Sequence, residues 1–190
     1  ASSDAGFSIV SYTGTGSAAT IAHGIGSAPD VVIIKKRSTT SQWCFGTNAL
    51  GFTKFLELNL TSAAGTNSNR FNDTAPTSSV FSIGTEGDVN ASSGTYIAYC
   101  FAEKKGYSKF GSYTGNGNAD GTFVYTGFKP AWFMCKEYSN AGNWIMFYIN
   151  SEPFNLNNDF LSADLSDAED TGNSTIRCDF VSGGVKLSGT

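Results

Sequence analysis

The feature that most constrains the fold of this chain is an internal repeat of about 100 residues. The hexapeptide Ser11–Gly16 recurs as Ser112–Gly117 with a single substitution, which sets an offset of 101 residues (from Ser11 to Ser112). At that offset, 11 of the 33 positions in residues 11–43 are identical to residues 112–144 without a gap. Identity over such a length indicates two homologous copies of one folding unit.

The apolar pattern inside each copy predicts β-strands. Val31–Ile34 and Trp132–Cys135 are short continuous apolar runs just before a lysine, a pattern typical of strands buried on both faces. We therefore expect each run to be central in its sheet. Trp43–Phe45 and Trp144–Ile149 follow polar turns and predict the second strand of a hairpin. Glycine-rich spacers recur and no helical period persists, so the sequence predicts an all-β protein built of sandwiches.

The repeat also sets the predicted domain boundaries. We expect two tandem homologous β-sandwich modules, residues 1–104 and residues 105–190. Copy one finishes with the apolar strand Tyr96–Phe101, whereas copy two stops at Thr190 before a matching last strand. A sandwich that lacks a buried strand exposes backbone groups and apolar surface. We therefore expect either that the polypeptide continues past Thr190 or that a neighbouring chain supplies the strand.

Composition and charge exclude several classes of partner. The formal net charge is −4 and the pI is near 4.9, so no broad basic surface is available to neutralise a phosphate backbone, and nucleic acid is not expected as a partner. No apolar run approaches the roughly 20 residues that a membrane-spanning helix needs, so no membrane association is expected. The four cysteines form no C-x-x-C pair, which favours free thiols in a reducing compartment over a zinc site.

No catalytic constellation is visible in the sequence. The single histidine, His23, has no acid–base partner nearby, and we expect it to close a turn or pack beside a strand. No G-x-S-x-G elbow occurs, and Gly14–Gly16 lacks the third glycine of a dinucleotide fingerprint. The sequence therefore predicts neither an enzyme nor a cofactor.

Two groups of oxygen-bearing side chains resemble cation sites without completing one. Asn116, Asn118 and Asp120 occupy the first, third and fifth places of a calcium-loop pattern, but Gly127 stands where the bidentate acid is required. The acidic segment Asp164–Asp170 is more simply a solvated loop. No metal is expected.

Nearly the whole chain resembles a known family, and the most specific match lies in its middle. Tyr96–Glu103, Gly106–Gly117 and Asp120–Trp132 are similar to the duplicated β-rich domain of structural proteins of marine tailed bacteriophages, and Ala22–Gly26 and Thr74–Phe81 resemble its first copy. The second copy departs at its end, where family members run on through another Gly-Thr-Tyr-Ile-like strand.

The resemblance implies a non-enzymatic virion component, part of a tail fibre or a similar appendage. Its implied partners are other virion proteins and further copies of itself, with a trimer common among such fibres. It implies assembly in the host cytoplasm and an extracellular particle after release. It transfers no catalytic residues to this chain.

An alternative function is binding of a host-surface receptor or carbohydrate through loop aromatics on a rigid scaffold. Equivalent aromatics of the two copies, such as Trp43 and Trp144, are expected in the cores, and so is Trp132 in its buried strand. Candidate contacts must then be residues without an equivalent: Tyr138, Tyr148, Phe154 and Phe160 in copy two, and Phe71 and Asn72 in copy one. A third alternative is a polysaccharide depolymerase. Such enzymes use two carboxylates at a defined distance in space, which the sequence does not give, so this class stays open.

Overall fold

The computed structural model describes residues 1–151 and 155–189, and within these the chain is all-β apart from two four-residue helices. The elements in chain order are β1 (Phe7–Thr13), β2 (Ala19–Ala22), β3 (Val31–Lys36), β4 (Trp43–Thr47), β5 (Lys54–Glu57), β6 (Gly65–Thr66), α1 (Ser68–Phe71), β7 (Val80–Ile83), α2 (Gly87–Asn90), β8 (Thr95–Phe101), β9 (Phe123–Tyr125), β10 (Trp132–Lys136), β11 (Trp144–Tyr148), β12 (Leu161–Ser162), β13 (Arg177–Val181) and β14 (Gly184–Ser188). No helix among the described residues is long and apolar enough to cross a membrane.

The chain divides into two compact units. Unit 1 comprises Ala1–Lys104 together with Tyr138–Ala141, and unit 2 comprises Lys105–Glu137 and Gly142–Thr190. Each unit contains more than one sheet, in keeping with the all-β, sandwich-like class that the sequence predicts.

Unit 1 is built on a six-stranded sheet of order β1-β8-β3-β4-β5-β6, with β2 and β7 forming a separate pair. The central position predicted for Val31–Ile34 is confirmed, because β3 lies between β8 and β4 and pairs antiparallel with both. On β8 the alternate residues Tyr96, Ala98 and Cys100 are fully buried. They join Phe81 of β7 in one apolar core.

Unit 2 contains two three-stranded sheets, of order β10-β11-β12 and β13-β14-β9. Its core is formed by Phe147 of β11, Cys178 and Phe180 of β13, and Val185 of β14. The expectation that Trp132–Cys135 is a central strand buried on both faces is wrong. Among the described residues β10 lies at the edge of its sheet with β11 on one side, and its first residue is 53% exposed.

Candidate functional site

The loop aromatics predicted to contact a ligand in copy two do not form one cluster. Tyr148 is 38% exposed at the end of β11, and Tyr138 is exposed in the segment that belongs to unit 1. Phe160 is not an exposed loop residue: it packs in the core of unit 2, with its ring centroid 5.9 Å from that of Phe147. Phe154 lies outside the described residues.

The copy-one candidates also separate in the structure. Phe71 ends α1 with its side chain buried in the core of unit 1, where it meets Phe52 edge to face at 5.2 Å. Asn72 follows it in the left-handed conformation, with φ of 53°, and is exposed. A ligand contact by Phe71 is therefore excluded, because its ring is part of the core.

One exposed aromatic pair combines Tyr148, a predicted contact residue, with Trp132, which was predicted to lie in the core. Trp132 of β10 lies directly opposite Tyr148 of β11, and both side chains are exposed. Residues opposite each other on adjacent strands point to the same face, with Cβ atoms about 5 Å apart. The pair therefore presents two neighbouring aromatic rings on one face of the sheet, the kind of surface on which a sugar ring stacks.

Unit 2 also contains an open cleft of about 390 Å³. Its lining combines apolar and polar side chains, among them Tyr113, Phe147, Leu187, Asn116, Thr175 and Arg177. The Tyr113 hydroxyl and the Cys135 thiol are hydrogen-bonded to each other at its wall. Burial raises the pKa of both groups, so both are neutral and the wall between them is uncharged at neutral pH.

The calcium-like pattern is used to stabilise a turn. The backbone N–H of Asn118 donates to Asn116 Oδ1 at 3.1 Å, and that of Asp120 donates to Asn118 Oδ1 at 3.0 Å. Lys186 Nζ lies 2.7 Å from Asp120 Oδ1, and this hydrogen bond and charge lower the pKa of the carboxyl. Among the described residues no group of three or more His, Cys, Asp or Glu side chains is placed to hold a metal ion.

His23 is held inside unit 1 by the backbone. The side chain is 2% exposed; the Ile25 N–H donates to its Nδ1 at 3.2 Å, and its Nε2 lies 3.0 Å from the Thr77 carbonyl oxygen. Because a carbonyl oxygen can only accept, Nε2 donates to Thr77, while Nδ1 accepts from the Ile25 N–H. Both nitrogens are thus engaged in fixing the backbone around β2 and β7, as expected for a histidine that closes a turn.

A buried ionic cluster in unit 1 was missed by sequence reasoning. Arg70 Nη2 lies 2.9 Å from Glu57 Oε1 and 3.1 Å from Asp88 Oδ2, and its guanidinium carbon is 3.7 Å from the centroid of the Phe55 ring. The partners are brought together by three different elements, β5, α1 and α2, so no local spacing could have indicated them. The single guanidinium lies between two carboxylates, so the cluster ties together three elements of unit 1 and is assigned a structural role.

The chain is similar to a known protein family. A family described as "Domain of unknown function (DUF7483)" matches residues 1–190. No curated protein matches the chain, and no solved structure does.

Proposed function

The chain belongs to the DUF7483 family, whose description assigns no function, and we propose that it is a non-enzymatic structural module of a bacteriophage particle, part of a tail fibre or a similar appendage. The resemblance of its sequence to phage structural proteins supports the assignment to a phage particle. Other virion proteins and further copies of the chain are its proposed partners. The proposed location is the virion, outside the cell after release.

The proposal includes a tandem duplication of one β-sandwich module. Two strand pairs support it, because β3 and β10 begin 101 residues apart (Val31 and Trp132), as do β4 and β11. Their registers also agree: Lys35 lies opposite Trp43, and Lys136 lies opposite Trp144. Two unrelated hairpins would have no reason to share both spacing and register.

The observation that carries the non-enzymatic role is the placement of His23, the only histidine in the sequence. General acid–base catalysis by a histidine requires a ring nitrogen that can reach a substrate. Here both ring nitrogens are bonded to backbone groups inside unit 1, which supports a scaffold whose polar side chains serve the fold.

The virion assignment is tested by immunoelectron microscopy. Antibodies against the purified chain are applied to gradient-purified particles of the phage that encodes it, and we expect label on the tail or another appendage. Label found only in the host lysate, with none on the purified particles, would refute the proposal. Light scattering of the chain at several concentrations tests self-association separately, with a trimer as the expected assembly.

A second candidate function is binding of a host-surface carbohydrate, and the exposed pair of Trp132 and Tyr148 favours it. The test is a glycan array probed with the chain and with its Trp132→Ala variant. Tyr125→Ala is the matched control, since Tyr125 is 70% exposed on β9, in the other sheet of unit 2. Glycan binding lost in the Trp132 variant and kept in the control supports this function, and the absence of any binding rejects it.

A further inference from the structure

Strand β9 carries two exposed aromatic side chains on one face. Phe123 is 47% exposed and Tyr125 is 70% exposed, whereas Val124 between them packs against the core of unit 2. Alternate residues of a strand point to the same face and are separated by about 7 Å. The two rings therefore lie side by side on the outer surface of the sheet formed by β13, β14 and β9.

Glycines leave this surface free of covering side chains. A Cβ atom at Gly183 would lie 3.8 Å from Phe123 Cζ and 3.9 Å from Tyr125 Cε2. A Cβ atom at Gly184 would lie 3.2 Å from Phe123 Cζ, and one at Gly127 would lie 3.5 Å from the Tyr125 hydroxyl oxygen. Both rings therefore lie against bare backbone, which holds them in place without covering them.

A polar border lies next to the aromatic pair. Lys186 of β14 is directly opposite Phe123, so its side chain leaves the strand on the same face of the sheet. Lys186 Nζ lies 2.7 Å from Asp120 Oδ1, and the two side chains are 33% and 85% exposed. The site therefore combines two apolar rings with an ammonium that donates hydrogen bonds and a carboxylate that accepts them.

The corresponding face of unit 1 is also exposed, but it carries no aromatic side chain. At the offset of 101 residues, Phe123 and Tyr125 correspond to Ala22 and Gly24, which are both exposed. Unit 1 includes β8, and that strand belongs to the six-stranded sheet, whereas β2 pairs with β7. The openness of this face is therefore a property of the module, and only the aromatic pair is particular to unit 2.

The area of the aromatic pair is that of a small ligand. Exposures of 47% and 70% correspond to about 230 Å² of aromatic surface, because each such side chain presents about 200 Å². A stable protein interface needs about 800 Å² from each partner. The pair is too small to hold a protein by itself, and it is large enough for the face of a sugar ring.

We propose that Phe123 and Tyr125 form a carbohydrate-binding platform whose ligand is a neutral pyranose. The negative face of an aromatic ring attracts the polarised C–H groups on the apolar face of the sugar. Hydroxyl groups at the sugar edge then accept from Lys186 and donate to Asp120. Because the ammonium and the carboxylate balance each other in charge, the site favours a neutral sugar over an acidic one.

The inference rests on the second candidate function, carbohydrate binding, and adds a separate site to it. Trp132 and Tyr148 belong to the sheet of β10, β11 and β12, and the platform belongs to the other sheet of unit 2. The two sites are distinguished glycan by glycan. Binding at the platform is lost in Tyr125→Ala and kept in Trp132→Ala, whereas binding at the other pair shows the opposite behaviour.

The test is an array of neutral hexose oligosaccharides, followed by calorimetric titration of each glycan that binds. We expect at least one glycan whose affinity falls about tenfold in Tyr125→Ala, because one stacked ring is removed, and stays unchanged in Trp132→Ala. Tyr125→Phe is the matched control. It keeps the ring and should bind within about threefold of the parent, since only one hydroxyl is lost.

A second variant, Gly183→Gln, tests the platform without removing a ring. Its Cβ fits at ordinary van der Waals distance from both rings, and the longer side chain covers them. Its loss of affinity should therefore equal that of Tyr125→Ala. Circular dichroism spectra that match the parent show that both variants are folded.

Three results would overturn the proposal. The first is that no neutral glycan binds, and the second is that every bound glycan is kept by Tyr125→Ala. The third is a change in oligomeric state of Tyr125→Ala in light scattering, which would make the aromatic pair a contact between copies of the chain. Antibody labelling of particles is independent of these results, so a failure of the platform leaves the virion assignment to its own test.

Discussion

Replacing Arg70 by Met should unfold unit 1 selectively. The Arg70 side chain is 9% exposed and bonds through one nitrogen to Glu57 and Asp88, whose side chains are 15% and 23% exposed. Methionine keeps most of the aliphatic volume over the Phe55 ring but removes the positive charge. The variant therefore leaves two carboxylates facing each other in a poorly solvated site.

The magnitude follows from the burial of the cluster. Removing one partner of a buried ion pair costs about 3–5 kcal/mol, because the remaining charge is desolvated without compensation. Since both carboxylates keep partial access to water, we take the lower limit of about 3 kcal/mol. With a urea dependence of about 2 kcal/mol per molar, the midpoint for unit 1 should fall by about 1.5 M.

The buried thiols provide an assay that separates the units. Cys44 and Cys100 lie in the core of unit 1 and Cys178 in the core of unit 2, so alkylation across a urea series, read by peptide mass spectrometry, gives a midpoint for each. In the Arg70→Met protein the urea midpoints of Cys44 and Cys100 should fall, and the midpoint of Cys178 should not change.

The matched control is Arg37→Met, the same substitution at an exposed arginine of unit 1. It should move no midpoint by more than about 0.3 M, because exposed charges contribute little. A shift below about 0.5 M in the Arg70 variant would contradict the reasoning, and so would an equal fall of all three thiol midpoints.

Three further predictions concern unit 1. His23→Ala should lower its stability by about 2 kcal/mol, because the Ile25 N–H loses a buried acceptor; the thiol assay measures this, and an unchanged midpoint would refute it. Burial raises the pKa of Cys44 to about 12 from 9.0, so the folded state keeps a proton that the unfolded state loses, and stability should fall as pH rises above 9. Urea unfolding followed by circular dichroism should show a shallower fall for Cys44→Ala, and identical slopes would argue against this origin. Gly84→Ala should lower the free energy of unfolding by about 2 kcal/mol, because its Cβ would lie 2.3 Å from the Asn69 carbonyl oxygen. Gly87→Ala is the control, since nothing lies within 4 Å of its Cβ, and urea unfolding should show it to be neutral or slightly stabilising.

The strands that sequence analysis located best are those whose signal is local. The apolar run Val31–Ile34, its preceding turn and the hairpin to Trp43 are encoded within about fifteen residues, and the structure places them as β3 and β4. Alternation and turn chemistry act over that distance, so no knowledge of the rest of the fold was required.

The errors concern burial, which depends on residues distant in sequence. Phe71 and Phe160 each follow polar residues in the sequence and were predicted to be exposed, but tertiary packing places both rings in cores. Arg70 gave no signal because its carboxylate partners come from other elements. A one-dimensional pattern records the character of a side chain, and its accessibility is decided by what the fold brings against it.

The failure at β10 is the most informative, because the same type of sequence gave the right answer at β3. Both runs are continuously apolar and both are followed by a lysine, yet Val31 is buried and Trp132 is exposed. The difference lies in the neighbouring strand: β8 covers β3, and β10 is the edge of its sheet. A run composed for burial on both faces is unfavourable at an edge, where exposed ladder groups invite further pairing. Its apolar composition therefore gave no sign of its position, because the strands that flank it are set by the rest of the fold.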